Sequence, residues 1–322
     1  MGEFELIRRF FASAACAAGG EGIALGIGDD CALLQLPAGE QLAISTDTLV
    51  AGVHFPDDAD PFLLGQRALA VSASDLAAMG AKPIAFTLAL TLPDARADWL
   101  EGFARGLCAM ASDCGIGLVG GDTTRGPLSL TLTVFGRVPA GQALTRAGAR
   151  PGDLLCVGGS LGDGGGALPL VLGERQERGP EVDYLLQRYW APQPQLALGQ
   201  ALRGRATAAL DISDGLLADC GHIAATSGVA LLVEATKLPL SSALESLFSR
   251  EFALNCALSG GDDYRLAFTL PASELAAIRA DWPEVAVIGR VAAGQGVHLL
   301  DDAGAILQPP ALGYQHFGSQ GD

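Results

Sequence analysis

In ATAALDISDGLLAD (206–219) an apolar run over 206–213 has strand length, ends on two aspartates and a glycine, and opens directly into a helical pattern over 215–226. A strand that hands over to a helix at a short acidic turn belongs to a mixed α/β chain, and the pattern has relatives on both sides. DLLCVGG (153–159) reads as a strand entering a glycine-rich turn, and CALSGGDDYRLAFTL (256–270) as a strand broken by a glycine turn and followed by another strand. Upstream, QLAIST (41–46) and LSLTLTVFGRV (128–138) read as strands, the latter through strict alternation of Leu128, Leu130, Leu132 and Val134. Three- and four-residue spacings predict helices over 63–80 and 98–112, the first closed by Gly80 and Pro83. The turn-rich segment 147–153 separates halves of similar size. The expectation is therefore an α/β (α+β) chain with two domains, 1–146 and 147–322.

Bulk properties set limits on partners. The 322 residues carry a net charge of −16, with 49% apolar and only 17% charged residues, which excludes an unfolded acidic tail. There are 23 Asp against 13 Glu, and 18 Arg against two lysines, Lys82 and Lys237. Such a surface is unsuited to nucleic acid, whose binding depends on a basic face. Mean hydropathy is +0.33, yet no run approaches the roughly 18 apolar residues of a membrane span. Arg8-Arg9-Phe10-Phe11 faintly resembles an export signal, but Glu3 and Glu5 spoil its charged region. The simpler reading is an amphipathic first helix with Phe4, Ile7, Phe10 and Phe11 on one face, in a cytoplasmic protein. Seven cysteines without a C-x-x-C pair fit reduced, buried thiols.

The aspartates fall at strand ends and glycine turns: Asp29 and Asp30 in GIGDDCA, Asp47 in STDT, Asp122 in GGDTT, Asp211 and Asp214 in DISDG, Asp262 and Asp263 in SGGDDY. Loops at strand ends converge on a crevice, and the hydroxyls of Ser45, Thr46, Thr123 and Ser213 add neutral oxygens. Hard oxygen donors of this kind suit Mg²⁺, which keeps waters and phosphates among its ligands. Read alone, Asp214-Gly215 is more simply a helix cap, and Asp163 in LGDGGG an ordinary turn. Asp75 differs, because it lies inside a helical pattern among apolar neighbours, where an unpaired carboxylate is costly.

Familiar sites are missing. There is no P-loop, H-E-x-x-H or EF-hand spacing. Gly115-x-Gly117-x-x-Gly120 follows a helix and precedes a strand, the reverse of the dinucleotide-binding context.

Taken in order, GIGDDCA (26–32), STDTLVAGVHF (45–55), SDLAAMGAKP (74–83), GGDTT (120–124), RAGARPGD (146–153), ALDISDGLLAD (209–219) and SGGDDY (259–264) resemble the thiamine-monophosphate kinase family, of the aminoimidazole-ribotide and selenophosphate synthetase superfamily. The resemblance implies a two-domain synthetase-like fold. Its N-terminal domain pairs with that of a second chain through a barrel-like sheet, and a C-terminal α/β domain packs against it. It further implies that Asp30, Ser45, Thr46, Asp47, Asp75, Asp122, Asp211 and Asp214 bind several Mg²⁺ ions, and that Gly121, Asp122, Arg146 and Ser213 contact ATP. His54, Asp262 and Phe317 would contact thiamine monophosphate. The alternatives are another ATP-dependent synthetase of the superfamily or a non-catalytic metal- or nucleotide-binding protein; selenophosphate synthetases carry a reactive Cys (or selenocysteine) followed by Lys near the N-terminus, and here no lysine precedes Lys82.

Three departures stand out. Asp262 replaces a usual Glu and is one methylene shorter, Ala104 stands where a Tyr is frequent, and Ser45 replaces a common Thr. The reaction implied is direct transfer from ATP to a phosphate that is already anionic, its second pKa being about 6, so no general base is required. Asp75, Asp211 and Arg146 are expected to matter most, Arg146 as a bidentate phosphate clamp.

Overall fold

The computed structural model describes residues 2–17 and 19–308, without the side chains of Glu3 and Phe4. Phe317 and the Phe4 ring therefore lie outside the described residues. The chain divides into two compact units, Met1–Ala143 and Leu144–Asp322.

In the first unit a short antiparallel pair, β1 (Ile23–Leu25) and β2 (Leu33–Leu34), accompanies an open sheet of β3 (Glu40–Val50), β4 (Lys82–Leu92), β5 (Gly117–Arg125) and β6 (Ser129–Pro139). The strand order is β3-β6-β4-β5; β6 is antiparallel to both its neighbours, and β4 and β5 are parallel. β6 alternates buried and half-buried residues along its whole length, as its sequence predicts, with Leu130, Leu132 and Val134 fully buried. The helix Pro61–Ala78 starts where the Asp60 carboxylate accepts the N–H groups of Phe62 and Leu63 and Pro61 presets the first turn. It packs on the helix Ala97–Cys114 and on the sheet. The register pairs Ser45 with Val134 and Asp47 with Leu132, so both polar side chains stand on the buried face of the sheet.

The N-terminal segment buries Phe10 and Phe11, as amphipathicity predicts. Cys16, in the short turn Ala15–Ala17, is bridged to Cys108 on the helix Ala97–Cys114, Cα to Cα 5.0 Å. This corrects the expectation of seven reduced thiols: the partners lie 92 residues apart, and only the fold brings them together. Cys114, Cys156, Cys220 and Cys256 are buried free thiols, and Cys31 is exposed.

The second unit holds a seven-stranded sheet of β7 (Leu154–Val157), β8 (Ala208–Asp211), β9 (Ala230–Glu234), β10 (Leu266–Leu270), β11 (Ala286–Ala292), β12 (Gly296–Leu300) and β13 (Ile306–Leu307). Its order is β13-β12-β9-β11-β7-β10-β8, with only β12 and β9 parallel. Leu155, Leu210, Ile212, Leu216 and Ile223 join one core, and burying each such side chain contributes about 1.5–3 kcal/mol. β8 runs into the helix Leu216–Ser227 through the DISDG turn, as read from sequence. One expectation fails: residues 256–259 end the helix Arg250–Ser259 rather than forming a strand. Ser249 caps that helix by accepting the Phe252 N–H, and Ala253, Cys256 and Ala257 share its buried face at helical spacing.

Candidate functional site

The first unit collects part of the expected donor set. Ser45 and Asp47 on β3 meet Asp75 on the helix Pro61–Ala78, and the Ser45 hydroxyl donates a short hydrogen bond to the Asp75 carboxylate. Ser72, fully buried one turn before Asp75, also bonds Asp47. Burial, and secondly the Asp75 charge, push the Asp47 carboxyl up to about 6. Asp47 Oδ2 is buried with no hydrogen-bond partner. Two neighbouring carboxylates, one with a buried oxygen left unsatisfied, favour a proton or a cation beside them.

Thr46 faces the other way. Its hydroxyl pairs with that of Thr133 at 2.9 Å on the opposite face of the sheet, where Thr48 and Thr131 form a second pair. Asp122, in register with Ala89 and through it Thr131, shares that face.

Asp30, Gly121 and Asp122 line a cavity of about 300 Å³ together with Asp29, Thr123 and Phe11. Gly121 sits at φ 152°, and an added Cβ would lie 1.9 Å from the Leu88 carbonyl oxygen, so only glycine allows β5 to run so close to β4. His54 follows β3 in a turn, and its Nδ1 accepts the Val50 N–H at 3.0 Å. That bond fixes the neutral ring with its proton on Nε2.

The second unit holds the rest. Asp211 is buried at the end of β8, and Ser213 and Asp214 follow half-buried. Asp262 lies in the SGGDDY loop at φ 68°, its Oδ1 accepting the Tyr264 hydroxyl at 3.0 Å. The Arg146 side chain is exposed, and its carbonyl accepts the Thr226 and Ser227 hydroxyls at the C-terminal end of the helix Leu216–Ser227. Arg146 and Ser213 are thus tied to opposite ends of one twelve-residue helix, about 18 Å of axis. Ala104, where the family often has Tyr, is buried.

Sequence reasoning missed a buried polar network in this unit. Asp163, read as a turn residue, is fully buried and accepts hydrogen bonds from Ser160 (2.7 Å), Tyr184 (3.0 Å) and Ser241 (2.5 Å), with Arg188 Nε at 3.7 Å. Asp263 is fully buried too, its oxygens accepting the Gly162 N–H at 2.8 and 3.0 Å and the Gly164 N–H at 3.4 Å. Burial pushes its carboxyl up to about 7. These partners come from distant segments, so no local signal announces them. Asp219 is different: an acid in the first turn after Gly215 is where a side chain can cap a helix, and it does.

Among the described residues no three His, Cys, Asp or Glu side chains gather closely enough to hold a metal by themselves, and no helix is long and apolar enough to cross a membrane.

Residues 28–138 match the N-terminal domain, and 150–302 the C-terminal domain, of AIR synthase related proteins. The thiamine-monophosphate kinase of Escherichia coli K12 is 45% identical over 327 residues, covering 99% of both chains, and that of Salmonella typhimurium LT2 is 46% identical over 325, again covering 99% of both. The crystal structure of the Stenotrophomonas maltophilia K279a thiamine-monophosphate kinase is 50% identical, with a TM-score of 0.82 over 87% of this chain and 91% of that one. AaThiL complexed with AMPPCP and TMP is 32% identical, with a TM-score of 0.78 over 88% and 89%. With full-length identity at this level, the chain belongs to the thiamine-monophosphate kinase family and is a kinase.

Proposed function

We propose that the protein transfers the γ-phosphoryl group of ATP to thiamine monophosphate, giving ADP and thiamine diphosphate, the last step in making that diphosphate. The observation that carries this reading is the Ser45–Asp47–Asp75 cluster with its unsatisfied oxygen, in a chain whose relative AaThiL binds AMPPCP and TMP. The donors fit Mg²⁺ by type, being hard oxygens too few to enclose an ion and so leaving room for water and phosphate. The residues that would hold it are Asp30, Ser45, Thr46, Asp47, Asp75 and Asp122 in the first unit and Asp211 and Asp214 in the second. When bound, such ions offset the repulsion between two polyanions and favour in-line displacement.

The chain's own groups divide the remaining work. Gly121 lets phosphate approach the backbone, and the exposed Arg146 guanidinium can clamp phosphate oxygens in a bidentate way. Ser213 and Asp122 complete the nucleotide contacts. His54 offers an Nε2 proton, while Asp262, oriented by Tyr264, presents negative charge to a thiazolium cation; Phe317 is assigned to the same substrate. No side chain needs to become phosphorylated, because the acceptor is already anionic. In domain terms, 1–146 carries metal, nucleotide and dimerisation roles and 147–322 completes the substrate site, in a cytoplasmic enzyme.

The proposal includes a homodimer, and the sheet supports it. Asp47, Leu132, Leu88 and Gly121 form one row in register across β3, β6, β4 and β5, which puts Asp47 and Gly121 on opposite edge strands, about 14 Å apart. Among the described residues neither β3 nor β5 has a strand paired on its outer edge, and Leu42 and Ile44 of β3 are exposed on the open face. Pairing β5 of one copy with β3 of another would bring the two half-sites together and close a barrel.

The test is turnover of purified protein with MgATP and thiamine monophosphate. Thiamine diphosphate is expected; no product, or equal turnover of unphosphorylated thiamine, overturns the reading.

A further inference from the structure

Resting on that reading, we propose that Asp219 is a positioning residue that ties the metal- and nucleotide-binding DISDG turn to the loop carrying Asp262. Asp219 is buried, and its Oδ2 alone accepts three consecutive backbone N–H groups: Ser213 at 3.0 Å, Asp214 at 3.0 Å and Gly215 at 3.2 Å. Those residues are the turn between Asp211 and the helix Leu216–Ser227, so one carboxylate oxygen sets the path of the backbone that bears Asp211, Ser213 and Asp214.

The same peptides hold the substrate loop from their other side. The Ser213 carbonyl accepts the Asp262 N–H at 3.0 Å, and the Ile212 carbonyl accepts the Tyr264 N–H at 2.8 Å. Tyr264 in turn donates its hydroxyl to Asp262 Oδ1. There is no slack between the strands of this arrangement: a Cβ on Gly261 would lie 2.5 Å from the Ser213 carbonyl oxygen. Asp262 and Tyr264 both adopt positive φ, 68° and 48°, a backbone that side-chain-bearing residues hold only when their surroundings impose it. Each of the two peptides, Ile212–Ser213 and Ser213–Asp214, is therefore clamped by Asp219 at its N–H and by the loop 262–264 at its carbonyl. A shift of the turn displaces both the phosphate-side donors and the acid that meets the thiamine part.

A plain helix cap would act on stability alone. A positioning role acts on two binding constants at once, which separates the two. The experiment compares wild type, Asp219→Ala and Asp219→Asn by melting temperature, by the Mg²⁺ concentration for half-maximal rate, and by KM for thiamine monophosphate. Asp219→Ala is expected to raise both the Mg²⁺ requirement and KM roughly tenfold or more. Asp219→Asn, which keeps an acceptor oxygen for the three N–H groups, is expected to recover much of both. If Asp219→Ala fails to fold, hydrogen exchange on Asp219→Asn decides: its neutral oxygen accepts more weakly than a carboxylate, so modestly faster exchange at Ser213, Asp214 and Asp262 together supports the tie. A lowered melting temperature with both constants within twofold of wild type, a change in only one constant, or unchanged exchange overturns it. Asp211→Ala and Asp262→Ala serve as controls. If they leave the Mg²⁺ and substrate dependences untouched, the site reading itself fails; if they alter them while Asp219→Ala does not, only the positioning role is lost.

Discussion

In the second unit Asp163 receives hydrogen bonds from Ser160, Tyr184 and Ser241, Asp219 from three backbone N–H groups, and Asp263 from two, whereas in the first unit Asp47 keeps a buried oxygen without a partner beside the like charge of Asp75. All are aspartates withdrawn from solvent, so burial does not distinguish them. What distinguishes them is whether the chain supplies its own donors. A buried carboxylate given protein donors is a structural member. One left short of donors is relieved by a proton or by an outside positive charge, and its raised carboxyl is the first sign of that demand.

The sharpest way to break this contrast is Asp75→Asn. Removing one charge from the unsatisfied pair should cut kcat by roughly a hundredfold or more, as expected when phosphoryl transfer loses electrostatic alignment. The melting temperature should hold or rise, because a like-charge repulsion is gone. Normal turnover with a lowered melting temperature would put Asp75 among the structural members instead.

The next largest effect tests whether the first unit is completed by another chain. Asp47→Ala and Asp122→Ala should each be nearly inactive, since they remove donors from opposite edges of the sheet. If the site joins β3 of one copy to β5 of another, a mixture of the two variants refolded or co-expressed together contains hybrid dimers with one intact site. Roughly a quarter of wild-type activity should then return, from half the dimers each with half their sites. A mixture as inactive as its parts would mean that each chain builds its site alone.

Much of the first unit was legible in the sequence, because alternation in 128–138 and helical spacing in 63–80 are local signals of local structure. Asp75 stands out in the sequence for the same reason, an acid in an apolar helix being anomalous within a few residues of itself, and the structure sets it against Ser45 and Asp47. The strand expected at 256–259 was misread because four apolar or small residues fit either period, and the cap at Ser249 that settles the matter lies outside the run read. Asp163 and Asp263 were illegible as a network, since their donors come from 160–162, 184, 188 and 241 and are assembled only by tertiary packing. The Cys16–Cys108 bridge was hidden likewise.

If Asp163 is structural, Asp163→Asn should destabilise the protein by roughly 3–5 kcal/mol, the cost of breaking a buried charged network from one side. Its Mg²⁺ dependence and KM should stay near wild type at a temperature where it is folded. A variant of normal stability with an altered Mg²⁺ requirement would erase the distinction drawn between the units.

The smallest expected effect concerns pH and belongs to Asp263. Its carboxyl is raised to about 7, first by burial, and the Gly162 N–H opposes that rise only in part. Because the folded value exceeds the ordinary one of 3.8, the protonated form favours the fold; this contribution is fully present below pH 3.8 and is lost as pH rises through 7. Asp47 and Asp219, both raised to about 6, lose theirs at lower pH, which leaves the interval from about 6 to 7.5 mainly to Asp263. Without Mg²⁺, wild-type unfolding free energy should fall by something on the order of 2 kcal/mol between pH 5.5 and 7.5 on account of Asp263. Asp263→Asn, which cannot ionise, should show a flatter profile across that interval even though it starts less stable for want of a second acceptor oxygen. Denaturant titrations at the two pH values measure both slopes. Parallel profiles would mean that Asp263 is ionised throughout, so that its N–H donors and the nearby Arg188 outweigh burial, and the second unit would be satisfied more completely than its burial suggests.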